Sequence, residues 1–175
     1  MYKMSMMPMF TAEAIHECVE AMAGQIRRNY EFDVVVGILT GSFIFVSDLC
    51  RYFPRQDLQI KFIKASSYCD EMRPGELEVS GLDLKELAGK RVLLIDDILD
   101  TGRTLKCLSE KIRAAGAAAV KTCALLDKPS RREVDFQADF TGFKIEDKFV
   151  VGYGLDYAGE YRTFPDIWSL EEEQG

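Results

Sequence analysis

The chain has 175 residues, of which 47% are hydrophobic, and its 22 basic and 29 acidic residues give a net charge of −7 at pH 7. This length predicts one domain spanning residues 1–175, because two domains would each have too small a core. The negative charge argues against nucleic-acid and anionic-membrane partners. The longest apolar segment, residues 34–39, is far shorter than the roughly 20 residues of a transmembrane helix. With no signal-peptide pattern at its start, the protein is predicted to be cytoplasmic.

The cysteines and the histidine restrict the available chemistry. Five cysteines, an odd number, are spread along the chain without a C-x-x-C pair. This pattern predicts reduced thiols rather than a disulfide framework or a zinc site. His16 is the only histidine and is predicted to lie at the surface of the first helix. Most histidine-based mechanisms are therefore excluded.

Hydrophobic periodicity predicts helices and strands that alternate along the chain. Thr11 is the predicted N-cap of the first helix, and Gly116 the predicted stop of the last. The alternation indicates an α/β fold with an open, mostly parallel, twisted sheet flanked by helices. The predicted elements are helix 12–29, strand 33–39, helix 43–51, strand 58–64, strand 91–95, helix 105–115, strand 120–126 and strand 148–153.

A long polar stretch, residues 65–89, interrupts this alternation. Loops of this length inside compact domains are uncommon and are usually functional or mobile. Residues 78–80 within the stretch are predicted to form part of a hairpin.

The chemistry is concentrated in residues 92–104, where four apolar residues run into Asp96 and Asp97 and then into a polar turn that opens a helix. In an open α/β sheet, ligands bind beyond the carboxyl ends of the strands, where this turn must lie. Neighbouring carboxylates repel a bare phosphate, so they are predicted to bind sugar hydroxyls, or Mg²⁺ through its water shell. The turn offers hydroxyls, a glycine, a cation and the amides of a helix N-terminus, and these groups favour a phosphate. They come from Thr101, Gly102, Arg103 and Thr104.

Recognition of an anion and a diol side by side indicates a ribose phosphate as the ligand. Asp100 lies between the two halves of the segment and could accept a proton without any histidine. A D-x-x-D-T-G fragment alone could equally be a capped turn whose acids are solvated helix starters. The buried apolar lead-in at residues 92–95 favours a binding site instead.

Residues 95–104 resemble the phosphoribosyl pyrophosphate (PRPP) signature of the type I phosphoribosyltransferases. Further matches are similar to the hypoxanthine-guanine phosphoribosyltransferases, and the similarity runs from about residue 33 to residue 162. These matches are Ser67-Tyr68, Lys128 within Leu-Asp-Lys-Pro, the stretch 147–157 and Arg162.

The resemblance implies roles around PRPP. Asp96 and Asp97 would hold the ribose hydroxyls, with Mg²⁺ beside them, while residues 101–104 would cradle the 5-phosphate. Arg162 would contact pyrophosphate, and Asp156 would support a second Mg²⁺ on that side. The metal and the arginine would stabilise the charge that develops on the leaving group.

The resemblance also implies a purine pocket in a small C-terminal hood of about residues 148–175. Asp100 would face N7 of the base and take its proton as the glycosidic bond forms. Lys128 would donate to the O6 acceptor that hypoxanthine and guanine share. Phe149 would stack on the ring, and the backbone near Val150 would contact C2.

Two loops complete the implied site. Ser67 and Tyr68 would be the reaching residues of a lid, about residues 65–89, that closes over the site and excludes water. The family often has Leu-Lys-Gly after the first core strand, with a cis peptide that turns a backbone N–H toward pyrophosphate. Here Thr40 replaces the lysine before Gly41, so the backbone contact is expected without the lysine charge.

The activity implied by the resemblance is purine salvage. Hypoxanthine, and guanine, would react with PRPP to give IMP or GMP and pyrophosphate, with Mg²⁺ as cofactor in a homodimer or homotetramer. One alternative is a xanthine-preferring transferase. Another is a regulatory homologue that senses PRPP or nucleotide and binds RNA, which the acidic charge argues against. A phospho-aspartate receiver domain is disfavoured because such folds usually place their acids early in the chain.

Overall fold

The computed structural model of the chain describes residues 2–66 and 78–172. Its α-helices are α1 (Ala12–Asn29), α2 (Phe43–Cys50) and α3 (Arg103–Ala114), with 3₁₀ turns at Leu84–Leu87 and Pro129–Arg131. Its strands are β1 (Tyr2–Met4), β2 (Val34–Leu39), β3 (Gln59–Ser66), β4 (Glu78–Ser80), β5 (Arg91–Leu99), β6 (Ala119–Asp127), β7 (Phe140–Lys144), β8 (Phe149–Val151) and β9 (Trp168–Glu172).

The main sheet has six strands in the order β4-β3-β2-β5-β6-β7. Its strands are parallel except for β4, which runs antiparallel to β3. The chain moves outward from β2 to β3 and then returns to place β5 on the other side of β2. A topological switch point therefore lies between β2 and β5, and in open α/β sheets a ligand crevice opens there at the carboxyl ends of the strands.

Both faces of this sheet are covered, which explains its continuous apolar strands. Val35 and Leu93 pack with α1 and α2, whereas Val34 and Val92 pack with α3 on the opposite face. The predicted N-cap of α1 is confirmed, because Thr11 Oγ1 accepts a hydrogen bond from the third residue of the helix at 3.3 Å. The predicted α/β fold is thus confirmed. None of the helices that the structure describes has the length and apolar content needed to cross a bilayer.

A second, antiparallel sheet contains β1, β9 and β8. The predicted strand 148–153 exists as β8, but its placement with the parallel strands was wrong. The outer parallel strand is β7, which was not predicted from the sequence because Gly142 interrupts its apolar pattern. A Cβ at Gly142 would lie 2.5 Å from the Leu125 carbonyl oxygen, so the neighbouring strand approaches too closely for a side chain.

Two other boundaries differ from the prediction. β5 continues through the acidic residues to Leu99, because its ladder to β6 continues, with Asp96 opposite Ala124. Part of the predicted loop 65–89 is regular structure: β3 extends to Ser66, and the predicted hairpin at 78–80 is confirmed as β4.

Ion pairs hold the opposite, amino-terminal edge of the sheet. Arg91 donates to Asp33 through its backbone N–H at 2.8 Å and its Nη2 at 2.8 Å, and it also pairs with Glu31 at 2.7 Å. These hydrogen bonds from Arg91 lower the pKa of Asp33 to about 2.

We expect Asp33→Asn to lower the free energy of unfolding at pH 7 by about 1 kcal/mol, since solvent screens this partly exposed pair. The Asp33 pKa is about 2 folded and about 3.9 unfolded. Its contribution is therefore complete above about pH 5 and is lost as the pH falls toward 2. Urea denaturation of both proteins between pH 7 and pH 3 should show the difference shrinking; a constant difference would contradict this linkage.

Candidate active site

Two adjacent carboxylates, Asp96 and Asp97, lie in the carboxyl half of β5. The Asp97 N–H donates to Asp96 Oδ1 at 3.0 Å, and the Ile98 N–H donates to Asp97 Oδ1 at 2.7 Å. Burial raises the pKa of Asp96 well above its usual range, and the charge of Asp97 raises it further; burial also raises the pKa of Asp97. The pair therefore favours a ligand that donates hydrogen bonds or brings positive charge.

The chemistry of this pair fits the Mg²⁺ that the resemblance implies. Carboxylate oxygens are ligands that Mg²⁺ accepts, and a cation would offset the burial that raises both pKa values and the repulsion that Asp97 adds at Asp96. Within residues 2–66 and 78–172, no group of three or more Asp, Glu, His or Cys side chains is arranged to hold a metal. A metal here would thus need ligands from substrate and water, as is usual for Mg²⁺.

Gly41 and Asp97 meet across the switch point. A Cβ on Gly41 would lie 1.6 Å from Asp97 Oδ2, so the carboxylate occupies the space of any side chain. The preceding peptide bond, between Leu39 and Thr40, is cis. Thr40 is exposed, while the buried Ser42 hydroxyl donates to a carbonyl oxygen of β2. The loop therefore places its backbone against the carboxylate pair.

Arg162 reaches this loop from the connection between β8 and β9. Its Nη1 donates to the Gly154 carbonyl oxygen at 2.6 Å, and its Nη2 pairs with Asp156 Oδ1 at 2.8 Å. Gly154 packs on Gly41, because a Cβ on Gly154 would lie 2.2 Å from the Gly41 carbonyl oxygen. The positive charge of Arg162 also opposes the rise in the pKa of Asp97. One cation thus lies beside both the loop and the carboxylates.

The turn before α3 forms a small concave site. Gly102 has a left-handed backbone, with φ of 85°, and Thr101 Oγ1 accepts from the Arg103 N–H at 3.3 Å. The Arg103 guanidinium pairs instead with Glu133 at 2.8 Å. The cavity here measures about 210 Å³ and is lined by residues 96–102, 104 and 105. Threonine hydroxyls and helix amides are therefore the groups available to a phosphate.

Asp100 has a partner, Arg131, that the sequence did not predict. Arg131 Nε donates to Asp100 Oδ1 at 3.3 Å, and its Nη1 lies 3.8 Å from Asp147 Oδ2. Asp147 Oδ1 in turn lies 3.8 Å from Lys128 Nζ. A chain of alternating charges therefore connects the predicted proton acceptor with the predicted O6 donor.

Arg132 is a second residue missed from the sequence. Its Nη1 donates to the Leu99 carbonyl oxygen at 3.2 Å and to the Asp100 carbonyl oxygen, and its Nη2 pairs with Asp127 at the end of β6. The Lys128 N–H also donates to the Leu99 carbonyl oxygen, at 2.9 Å. These bonds fix the backbone of Asp100 against that of Lys128. Two consecutive arginines shortly after the lysine were the only signal in the sequence.

Phe149 differs from its neighbours in β8. Its side chain is 42% exposed, whereas Val150 and Val151 are buried. Its ring contacts Tyr157 edge to face, with centroids 5.6 Å apart. An exposed aromatic face held by an edge contact is suited to stacking on a planar ligand, while Val150 offers only its backbone.

The structure brings most of the predicted site residues to one edge of the sheet. Thr40-Gly41 follow β2, residues 96–104 lie on and after β5, and Lys128 follows β6, and these three strands are neighbours. Arg162, which pairs with Asp156, reaches the same edge through Gly154, the residue that packs on Gly41. The predicted lid residues, Ser67 and Tyr68, lie outside the residues that the structure describes.

Comparison with known proteins gives a consistent result. A family profile, the phosphoribosyl transferase domain, matches residues 10–158. The hypoxanthine-guanine phosphoribosyltransferase of Aquifex aeolicus is 45% identical over 91% of this chain and 92% of its own length. A crystal structure of a hypoxanthine-guanine phosphoribosyltransferase from Bacillus anthracis is 38% identical, with a TM-score of 0.86, over 98% of this chain and all of that one. A structure of a hypoxanthine phosphoribosyl transferase of Trypanosoma cruzi is 33% identical, with a TM-score of 0.88, and the match covers 98% of this chain and 94% of that one.

The open, mostly parallel sheet, with a carboxylate pair and a concave turn before a helix at its switch point, together with these matches defines an α/β enzyme of the phosphoribosyltransferase type, in the glycosyltransferase class. The relatives above share one activity in their names. The chain belongs to the hypoxanthine-guanine phosphoribosyltransferase family.

Proposed function

We propose that the protein converts hypoxanthine and guanine, with PRPP, to IMP and GMP and releases pyrophosphate. The observation that carries this proposal is the position of Asp96 and Asp97 between the Gly41 loop and the turn before α3. The turn would receive the 5-phosphate through the threonine hydroxyls and backbone amides. The carboxylates would accept hydrogen bonds from the ribose hydroxyls, and the Gly41 loop with Arg162 would face the pyrophosphate.

Asp100 is proposed as the proton acceptor. In the reaction, N9 of the purine forms a bond to C1 of the ribose as the bond from C1 to pyrophosphate oxygen breaks, with inversion at C1. The electron pair leaves with pyrophosphate, and the proton on N7 passes to the Asp100 carboxylate. The present pairing with Arg131 holds that carboxylate in place. Binding of the base would exchange the Arg131 contact for the N7–H contact.

Lys128 and Phe149 are proposed to select the base. The buried Lys128 ammonium is a donor without acceptor capacity, so it matches the O6 carbonyl of hypoxanthine and guanine. Phe149 would stack on the purine ring, and the backbone at Val150 would meet the C2 edge. Ser67 and Tyr68 would close over the reacting atoms as the lid.

Mg²⁺ is proposed as the cofactor, with Asp96 and Asp97 on the ribose side and Asp156 on the pyrophosphate side. When bound, it would neutralise charge on the leaving group. Arg162 would supply the protein's own positive charge at the same place, since it already pairs with Asp156 at 2.8 Å.

We propose a single domain over residues 1–175, with a lid at about 65–89 and a hood at about 148–175, to which β1 adds a strand. A homodimer or homotetramer in the cytoplasm, without nucleic-acid or membrane partners, is proposed from the family resemblance and the acidic charge.

The proposed function is tested by initial rates with hypoxanthine, guanine, xanthine and adenine at fixed PRPP and Mg²⁺. We expect turnover of hypoxanthine and guanine and at least about 100-fold slower turnover of adenine. The reason is that adenine presents an amino donor where Lys128 needs an acceptor. Removal of Mg²⁺ with a chelator should abolish the rate and its re-addition restore it.

Two results would contradict the proposal. Fastest turnover of xanthine would indicate a xanthine-preferring transferase. Binding of RNA without purine-dependent consumption of PRPP would indicate a regulatory protein.

A further inference from the structure

Tyr153, directly before Gly154, has a backbone and a hydrogen bond that the proposed reaction does not use. Its φ of 51° lies in the left-handed region, which is unusual for a tyrosine. Its side chain is buried, and the hydroxyl donates to Asp48 Oδ2 on α2 at 2.7 Å. Burial and the bond to Asp48 raise the pKa of Tyr153 well above its usual range, so the phenol remains a donor.

The segment that Tyr153 begins holds Arg162 by backbone pairing. The Tyr153 N–H donates to the Phe164 carbonyl oxygen at 2.8 Å, and the Gly154 N–H donates to the Arg162 carbonyl oxygen at 2.9 Å. The Arg162 side chain returns to the Gly154 carbonyl oxygen. The position of the guanidinium therefore follows the position of residues 153 and 154.

The same segment touches the loop after β2. Gly154 lies against the Gly41 carbonyl oxygen, and the Cβ position of Gly154 is 3.8 Å from Ile44 Cβ on α2. Because α2 begins two residues after Gly41 and carries Asp48, the contacts close a ring. It runs from the Gly41 loop through α2 to Asp48, across the hydrogen bond to Tyr153, and through Gly154 back to Gly41.

The packing around this ring leaves open space on one side of it. A cavity of about 360 Å³ lies between α1, α2 and residues 163–165, and both Asp48 and Tyr153 line it. With open space beside the phenol, the bond between Tyr153 and Asp48 is the polar link that spans the gap. Its removal would leave the segment free to shift toward the cavity.

We propose that Tyr153 and Asp48 are positioning residues for the pyrophosphate subsite, setting the distance between the Gly41 loop and Arg162. This inference rests on the proposed function, in which those two groups bind the pyrophosphate of PRPP. Neither residue touches the substrate, and neither takes part in proton transfer.

The test is Tyr153→Phe, which keeps the ring and removes the hydroxyl. We expect the KM for PRPP and the inhibition constant for pyrophosphate to rise about 10-fold. The KM for hypoxanthine should stay within about twofold, because Lys128 and Phe149 lie outside the ring of contacts. Asp48→Ala should behave like Tyr153→Phe, while Asp48→Asn, which keeps an acceptor oxygen, should stay close to wild type.

Tyr52→Phe is the matched control, since Tyr52 lines the same cavity but its hydroxyl lies 3.5 Å from His16. It should leave both KM values unchanged. Calorimetric titration of each protein with pyrophosphate in the presence of Mg²⁺ gives a readout independent of turnover, with about 10-fold weaker binding expected for Tyr153→Phe.

The outcomes separate the two proposals. A wild-type protein that binds pyrophosphate but does not consume PRPP with any purine would contradict the proposed function. An active wild type whose Tyr153→Phe variant keeps its KM for PRPP and its pyrophosphate affinity, or loses only thermal stability, would overturn the positioning role. Equal rises in the KM for PRPP and for hypoxanthine would overturn it as well.

Discussion

Asp100→Asn is expected to reduce kcat by about 10²–10⁴-fold, because an amide cannot take the N7 proton in the step that forms the glycosidic bond. The substitution preserves size and an acceptor oxygen, so the 3.3 Å contact with Arg131 and the fold should persist. Binding of IMP should also persist, because the new amide can donate to N7 of the product. Initial rates combined with calorimetric IMP binding measure both effects.

Glu110→Gln provides the control for Asp100→Asn. It makes the same chemical change on an exposed carboxylate of α3, away from the carboxyl edge of the sheet. Its kcat should equal that of wild type. Undiminished turnover of Asp100→Asn would rule out the proton-acceptor role, and lost IMP binding would indicate a structural role instead.

Gly41→Ala is expected to reduce kcat/KM for PRPP by about 100-fold, through displacement of Asp97. The new Cβ would lie 1.6 Å from Asp97 Oδ2, so the carboxylate or the loop must move by an ångström or more, which is enough for a loss of this size. The φ of Gly41 is not in the left-handed region. The effect is therefore steric rather than a matter of backbone strain. Steady-state rates at varied PRPP concentration measure it.

Gly24→Ala is the matched control for Gly41→Ala. Gly24 lies within α1, and its Cβ position is 3.3 Å from the flexible end of the Arg28 side chain, which can move aside. Alanine also favours a helix over glycine, so the variant should be at least as stable as wild type and equally active. Wild-type kinetics in Gly41→Ala would show that Asp97 does not need its present position.

The fold was largely predictable because its signals are local. Each signal depends on residues that are close in sequence. Examples are the hydrophobic periodicity of α1, the N-cap at Thr11 and the run of β-branched residues in β2. The placement of β8 was not predictable in this way, since a short apolar strand has the same sequence pattern whether it belongs to the parallel or to the antiparallel sheet. β7 was not predicted because Gly142 interrupts its apolar pattern. A glycine is needed there because the backbone of β6, which is distant in sequence, lies too close for a side chain.

In the site, too, local features were predictable from the sequence and contacts between distant residues were not. Residues 92–104 form one continuous segment, so spacing and residue type were sufficient to group them. Arg131 could not be linked to Asp100 from the sequence, because 31 residues separate them and the contact depends on the turn at Pro129–Arg131. The bond between Tyr153 and Asp48 spans 105 residues and leaves no local pattern.

The small antiparallel sheet joins the two ends of the chain, with Lys3 opposite Glu171. Pairing over such a separation carries a large entropic cost of loop closure, so we expect it to form after the local contacts. During synthesis, β1 emerges before β9 and can pair only after β9 is made, and β9 also pairs with β8, which carries Phe149. The parallel sheet can assemble around its carboxylate pair earlier, so we expect the side of the site that carries Phe149, the proposed stacking residue, to be completed last in a nascent chain.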